Sequence, residues 1–338
     1  MRGVAASVDV RPYVDADEDA VLGLLSAALG GGPAGERSSA FFRWKHLENP
    51  FGRSFMLVAE ADGRIVGLRA FMRWELVAGD RRFRAVRAVD TATHPDHQGK
   101  GIFSRLTLEA LGTLRDQADF VFNTPNEKSL PGYMKMGWQV VGRVPIRVRV
   151  RRPIRFATRA RSWRSANELG DVPPVDAALA GELADERIEG LLGGAERPPG
   201  IATPRGGTYL RWRYGGAPLL NYRALTTGDL GHVDGLALFR VRPRGALVEA
   251  TVSETIVRPG GRRAAGKLLR GVGVSSRVDH VACSFPPGSS PDLAARRLAS
   301  VRAPGGMTLV VNTLGHDLDP SPLDLRSWAL TAGDLEVF

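Results

Sequence analysis

The sequence predicts an α/β (α+β) protein of two tandem domains, each a mixed central sheet flanked by helices. Three observations predict it. At ~100–200 residues per domain, a chain of 338 residues favours two domains over one. Apolar residues alternate between the two-residue period of strands and the 3.6-residue period of helices. The chain also repeats: Arg43-Trp44-Lys45-His46, followed by Pro50, recurs as Arg211-Trp212-Arg213-Tyr214, followed by Pro218. The same 168-residue offset aligns Gly63–Phe71 with Gly231–Phe239, and Thr91–Pro95 resembles Thr255–Pro259. Two matches in one register indicate two copies of one fold. The expected layout is a first domain over 1–150, an Arg-rich linker over 151–165 and a second domain over 166–338.

The first copy reads as follows. Ser7–Tyr13 is a strand, and Val21, Leu24, Leu25 and Ala28 form one helical stripe. Phe55–Glu60 and Ile65–Trp74 are strands joined by an Ala61-Asp62-Gly63 turn. Arg84–Thr93 is a further strand. A helix begins near Gly101 with Phe103, Leu106, Ala110 and Leu114 on one face. Phe120–Asn123 and Gln139–Val144 complete a βαβββαβαβ order, antiparallel early and parallel later.

Composition narrows the classes. With 43% hydrophobic and 24% charged residues, the chain is globular rather than disordered. The single Cys283 excludes a disulfide framework and a Cys-rich metal site. No apolar stretch opens the chain as a signal peptide would. The longest uncharged run, Val21–Gly35, is too short and Gly-rich to span a bilayer. A cytoplasmic protein is expected. The net charge of +10 is concentrated: nine arginines and no acid lie between Arg143 and Arg164. Ile146, Val148 and Val150 alternate there with Arg147, Arg149 and Arg151, which predicts a strand with one arginine face. Few aromatics interleave, which argues against nucleic acid. An anion bound beside a cleft of the first copy and a solvated face are the other readings.

The segment that carries chemistry is His94-Pro95-Asp96-His97-Gln98-Gly99-Lys100-Gly101-Ile102-Phe103. A strand enters a glycine-rich turn and leaves it as a helix. Backbone N–H groups at such a helix start hold anions, Gly99 and Gly101 let a pyrophosphate approach, and Lys100 adds a charge. His94 and His97 lack the supporting ligands of a metal site and read as loop caps, so no metal is expected. Gly261–Lys267 nearly spells a phosphate-binding loop, but Leu268 stands where Ser or Thr would hold Mg²⁺.

The turn resembles the pyrophosphate loop of the GNAT superfamily of acetyl-CoA-dependent N-acetyltransferases, Q/R-G-x-G-x-G/A, with Phe103 departing at the last position. A second motif agrees: Asn126, then Tyr133 seven residues on, then Lys135, Gly137 and Trp138. The resemblance implies a catalytic first copy that moves an acetyl group from acetyl-CoA to a primary amine of a small molecule, an amino sugar among the candidates. It implies that Ala92, Thr93, His94, Gln98, Gly99, Lys100, Gly101, Ile102 and Phe103 hold the cofactor, and that Asn126 fixes pantetheine or the helix start. Tyr133 would protonate the departing sulfur. An alkylamine of pKa ~10.4 is overwhelmingly charged at pH 7, so a base helps. Asp90 is a candidate, Glu75 another, and Asn123, Thr91 and Thr93 could hold a water instead.

In the second copy the aligned loop reads Pro259-Gly260-Gly261-Arg262-Arg263-Ala264-Ala265, with Arg263 and Ala265 in place of Gly99 and Gly101, and no Asn and Tyr follow. A degenerate domain that covers the first is expected. The tandem plan is similar to that of the enhanced intracellular survival acetyltransferases, which use a C-terminal carboxylate; here Phe338 ends the sequence. The rival readings are a protein Lys or N-terminal acetyltransferase, and a non-catalytic CoA- or nucleic-acid-binding regulatory module. The sequence gives no oligomeric state.

Overall fold

A computed structural model describes residues 8–29, 38–159, 175–182, 186–229, 232–275 and 277–336. The first copy begins with β1 (Asp9–Pro12), α1 (Glu18–Leu29) and α2 (Ser39–His46). The long meander β2 (Phe55–Ala61), β3 (Arg64–Ala78) and β4 (Arg81–Thr93) follows, with Gly63 at φ +70° turning the first hairpin. Then come α3 (Ile102–Leu114), β5 (Phe120–Asn123), α4 (Leu130–Lys135) and β6 (Gln139–Val144). The expected strands and both expected helices are present. The helix α2, over the repeated Arg-Trp segment, and the one-and-a-half-turn α4 are not evident from periodicity, because both are too short to show a stripe.

The chain continues into β7 (Arg147–Val150) and α5 (Pro153–Arg159). The second copy holds β8 (Ala178–Leu179), α6 (Glu186–Gly193) and α7 (Gly207–Leu210), the last extended by a π turn to Gly215. The meander β9 (Arg223–Asp229), β10 (His232–Arg244) and β11 (Leu247–Val257) follows. α8 (Arg262–Val274), β12 (His280–Cys283), α9 (Ser290–Arg297), β13 (Val301–Arg302), β14 (Met307–Asn312) and α10 (Ala332–Leu335) complete it. The far part of the expected linker, from residue 160, lies outside the described residues.

The two sheets exchange strands. One runs β1-β2-β3-β4-β5-β14-β6 and the other β13-β7-β12-β11-β10-β9-β8. β14 of the second copy lies antiparallel between β5 and β6 of the first. β7 of the first copy lies antiparallel between β12 and β13 of the second. Each sheet is therefore complete only when both halves of the chain are present. A shared apolar core fuses the halves, running from Leu24, Phe42 and Trp74 to Tyr209, Leu236 and Ile256. Separate cores lie beneath α3 and beneath α8.

The exchange corrects the reading of the arginine strand as a border of the first copy's cleft. β7 belongs to the second sheet, and part of the arginine run is paired there. Arg147 donates to Asp292 at 3.1 Å and to the Ser300 carbonyl, while Arg155 and Arg152 face the buried Asp279. Arg161 and Arg164 lie outside the described residues.

Candidate active site

The site begins where β4 parts from β5. β4 pairs in parallel with β5 only from Ala85 to Arg87, opposite Phe120 to Phe122. β5 ends at Asn123, its other edge pairing with β14 over Val121–Asn123, and among the described residues no strand lies beside the β5-facing edge of β4 from Ala88 to Thr93. A bulge at Asp90, with φ +36°, adds one residue between the pairs Ala70–Val89 and Arg69–Thr91. It bends the strand end and re-aims the side chains beyond it. Backbone groups of Ala92 and Thr93 thus flank a wedge that an extended amide-bearing chain can line.

At the mouth of this wedge the His94 N–H bonds to the Val66 carbonyl at 2.9 Å, and the His94 ring accepts from the Asp96 N–H. Gln98 reaches the Thr93 carbonyl. Gly99 and Gly101 take φ +74° and +77°, and Gly101 is the N-cap of α3. A Cβ at either glycine would meet no protein atom. What the glycines supply is the left-handed turn and an open face, with exposed Lys100 between them. Ile102 is buried against Gly67 and seats the helix on the sheet.

Tyr133 projects from α4 into the wedge, 6% exposed. Trp138 and Phe103 wall it, with ring centroids 5.0 and 6.0 Å away. Phe103, the departure from the loop pattern, therefore packs on the tyrosine. Asn126 opens α4: its Oδ1 accepts from the Lys128 and Ser129 N–H groups at 3.1 and 2.9 Å. The Asn126 side chain thus fixes the turn that leads into α4.

Two cationic residues sit in the strands of this site that motif matching missed. Arg69 on β3 is fully buried; its Nη1 donates to the Tyr133 hydroxyl at 3.2 Å and to Thr91 Oγ1. Arg87 on β4 is also buried. Burial pushes its guanidinium down to about 10, and neighbouring Arg213 adds to that. It grips the Asp334 and Leu335 carbonyls at the end of α10. A charged residue inside an apolar strand run, as in Leu68-Arg69-Ala70-Phe71, is the signal that could have found the first.

Asp90 faces α2. Its Oδ2 lies 2.7 Å from Lys45 Nζ and 2.8 Å from His46 Nε2, with all three side chains at most 5% exposed. His46 Nδ1 contacts Ser54 at 2.9 Å. Glu75 lies farther along β3, paired with Arg82 at the surface. The repeated tryptophans form an interdomain contact. Trp44 and Trp212 stack at 5.1 Å, and each indole N–H donates to the other's carbonyl, at 2.8 and 2.9 Å. A narrow cleft behind them is lined by Lys45, Arg87, Trp212, Arg213 and Glu336. Residues 337–338 lie outside the described residues.

Residues 9–141 match the acetyltransferase (GNAT) domain model. That stretch of the chain is similar to the GNAT acetyltransferases. A 94-residue stretch is 30% identical to the L-amino acid N-acyltransferase MnaT of Escherichia coli, covering 27% of this chain. The chain spans about half the length of that relative, 53%. Solved structures share the fold across both halves. A probable N-acyltransferase of Enterococcus faecalis superimposes with TM-score 0.64 at 14% identity, over 91% of this chain and 73% of its own. A GCN5-related N-acetyltransferase from Anabaena variabilis gives 0.62 at 11%, over 91% and 73%. Eis1 from Mycobacterium abscessus gives 0.55 at 16%, over 90% and 73%.

The second GNAT-like copy differs from the first at the loop itself. Between β4 and α3 lie the eight residues 94–101; between β11 and α8 lie only the four residues 258–261. The repeat offset falls from 164 at the strand ends (257 against 93) to 160 at the helix starts (262 against 102). Arg263 and Ala265 are thus not stand-ins for Gly99 and Gly101. They belong to the first turn of α8, with Ala265 in the core. The cradle is shortened away rather than crowded.

Proposed function

We propose that the first GNAT domain transfers the acetyl group of acetyl-CoA to the primary amine of a small molecule. The observation that carries this reading is the co-location of the open Gln98–Gly101 turn, the unpaired edge of β4 and the Tyr133 hydroxyl in one wedge. The residues suit the cofactor chemically. The left-handed glycines and Lys100 present N–H groups and a charge for the diphosphate. The β4 edge offers amide partners for pantetheine. Asn123 Oδ1, at the wedge floor, is buried with no donor among the described residues.

The proposed reaction is direct. The amine lone pair forms the C–N bond, and the C–S bond breaks with its electron pair on sulfur. Tyr133 gives its proton to that sulfur and recovers one from the ammonium formed on nitrogen. Asp90 is read as an anchor of α2, because its carboxylate is buried between Lys45 and His46. The second copy keeps the same arrangement without the loop: Glu254, equivalent to Asp90, accepts from Tyr214, equivalent to His46, at 3.0 Å. An acid retained where the cradle is absent serves the scaffold.

The likeness of the matched stretch to an L-amino acid N-acyltransferase favours a small acceptor over a protein lysine. The place of β7 in the second sheet takes away the arginine-strand argument for an amino sugar. The likeness to an L-amino acid N-acyltransferase makes amino acids the first class to test. Thiol release from acetyl-CoA, assayed with the L-amino acids, amino sugars and a lysine peptide in parallel, should be fastest with a free amino acid. Release only with the peptide would overturn the small-molecule reading, and no release with any amine would overturn the enzyme.

A further inference from the structure

Arg69 is a cation with no carboxylate partner among the described residues. It is 0% exposed, and its Nε and Nη2 have no acceptor there. Its guanidinium carbon lies 4.5, 5.4 and 5.5 Å from the ring centroids of Phe71, Tyr133 and Phe103. An aromatic cage offsets part of the desolvation of a cation, but a buried charge without a counterion remains costly. The fold does not require it. Its strand neighbours Leu68, Ala70 and Phe71 are buried apolar residues, and an uncharged chain of similar length would fill the same space.

The repeat supplies an internal control. The residue equivalent to Arg69 in the second copy is Ala237, between Leu236 and Leu238, and it is fully buried. Thr255, equivalent to Thr91, is retained, but its Oγ1 is buried without a partner where Thr91 accepts from Arg69. The apolar frame persists in both copies. The arginine is present only in the copy that has the long loop and the tyrosine. This contrasts with Asp90, whose acid is kept in both.

We infer that Arg69 is a positioning residue for Tyr133, fixing the phenol by its Nη1 hydrogen bond and supporting the negative charge left on the oxygen when the proton passes to sulfur. The inference rests on the acetyl-transfer reading above. It adds a buried donor that acts through the tyrosine and touches no substrate. The charge that is costly at rest becomes compensated during the step in which Tyr133 turns anionic.

The test is a double-mutant cycle of Arg69→Met and Tyr133→Phe. Thiol release from acetyl-CoA is read with an L-amino acid mixture as acceptor and with water alone, alongside thermal melting. Arg69→Met should lower kcat about 10–100-fold with little change in KM for acetyl-CoA, and should melt no lower than the parent. In the Tyr133→Phe background the same substitution should change kcat less than about twofold. Arg69→Lys should recover part of the loss. Equal losses in both backgrounds, or a loss that follows a fall in melting temperature, would overturn the inference while leaving the acetyl-transfer reading standing. A Tyr133→Phe protein with parental kcat would overturn the tyrosine's role and the inference together.

Discussion

Single residues decide whether the wedge works. Tyr133→Phe should lower turnover roughly 10²–10⁴-fold, the usual range for a general acid, while leaving acetyl-CoA binding by calorimetry near parental. Gly101→Ala should weaken acetyl-CoA binding through conformation. A left-handed alanine costs about 1–2 kcal/mol, and the φ of +77° is required although space is open. Asp90→Asn should act on stability, since it neutralises the buried carboxylate that faces Lys45 and His46; breaking such a pair costs about 3–5 kcal/mol. A lowered denaturant midpoint should accompany it, and a folded variant should retain turnover. Loss of turnover without loss of stability would make Asp90 a base after all. The loop and the tyrosine are readable in the sequence because backbone chirality and motif spacing are local. The partners of Asp90 and Arg69 are not, since Lys45 and Tyr133 are distant along the chain and no periodicity reports a hydrogen bond between strand and helix.

At the scale of elements, the bulged end of β4 and the start of α3 form one unit, joined through the eight-residue loop. The strands were legible from alternation and the helix from its stripe. The extra residue at the bulge was not, because it interrupts the alternation by a single position. The same limit explains the misaligned second loop: a four-residue shortening beside a glycine pair leaves a plausible ungapped match. Between elements, α2 and α7 meet through Trp44 and Trp212. Either tryptophan replaced by alanine should cost about 3–5 kcal/mol. A cycle of both should show coupling of roughly 0.5–1.5 kcal/mol from the stacked rings alone, measurable by urea unfolding. Additive losses would show that each tryptophan packs independently.

Over the whole molecule, the two sheets should unfold together, since each contains a strand of the other copy. Acid should weaken the second copy's buried charges. Burial acts to raise Glu249, but His280, Arg242 and Arg244 hold it well below the usual carboxylate range. A depressed carboxylate stabilises the fold above its unfolded pKa of ~4.3 and loses that contribution as pH falls below it. Glu249→Gln should therefore be less stable than the parent near neutrality, with the gap narrowing toward pH 3 in melts across that range. Cys283 behaves oppositely in reactivity: burial pushes its thiol up to about 12. Alkylation by iodoacetamide should follow global unfolding rather than precede it. The tandem plan was legible from the repeat. The crossing of strands was not, because an edge-compatible hairpin looks the same whether its second strand pairs at home or abroad.

The crossing also orders the protein's synthesis. Val121 in β5 finds its neighbour in Asn312 of β14, so the floor of the wedge waits until residue 312 has left the ribosome. Contacts so distant in sequence form slowly. A nascent chain carrying the complete loop and Tyr133 would still expose unpaired edges of β5 and β6, a surface prone to wrong pairing. Premature termination would thus yield a visibly unfinished protein rather than a working half enzyme, and intermolecular exchange of the same strands would give two chains a ready route to entangle.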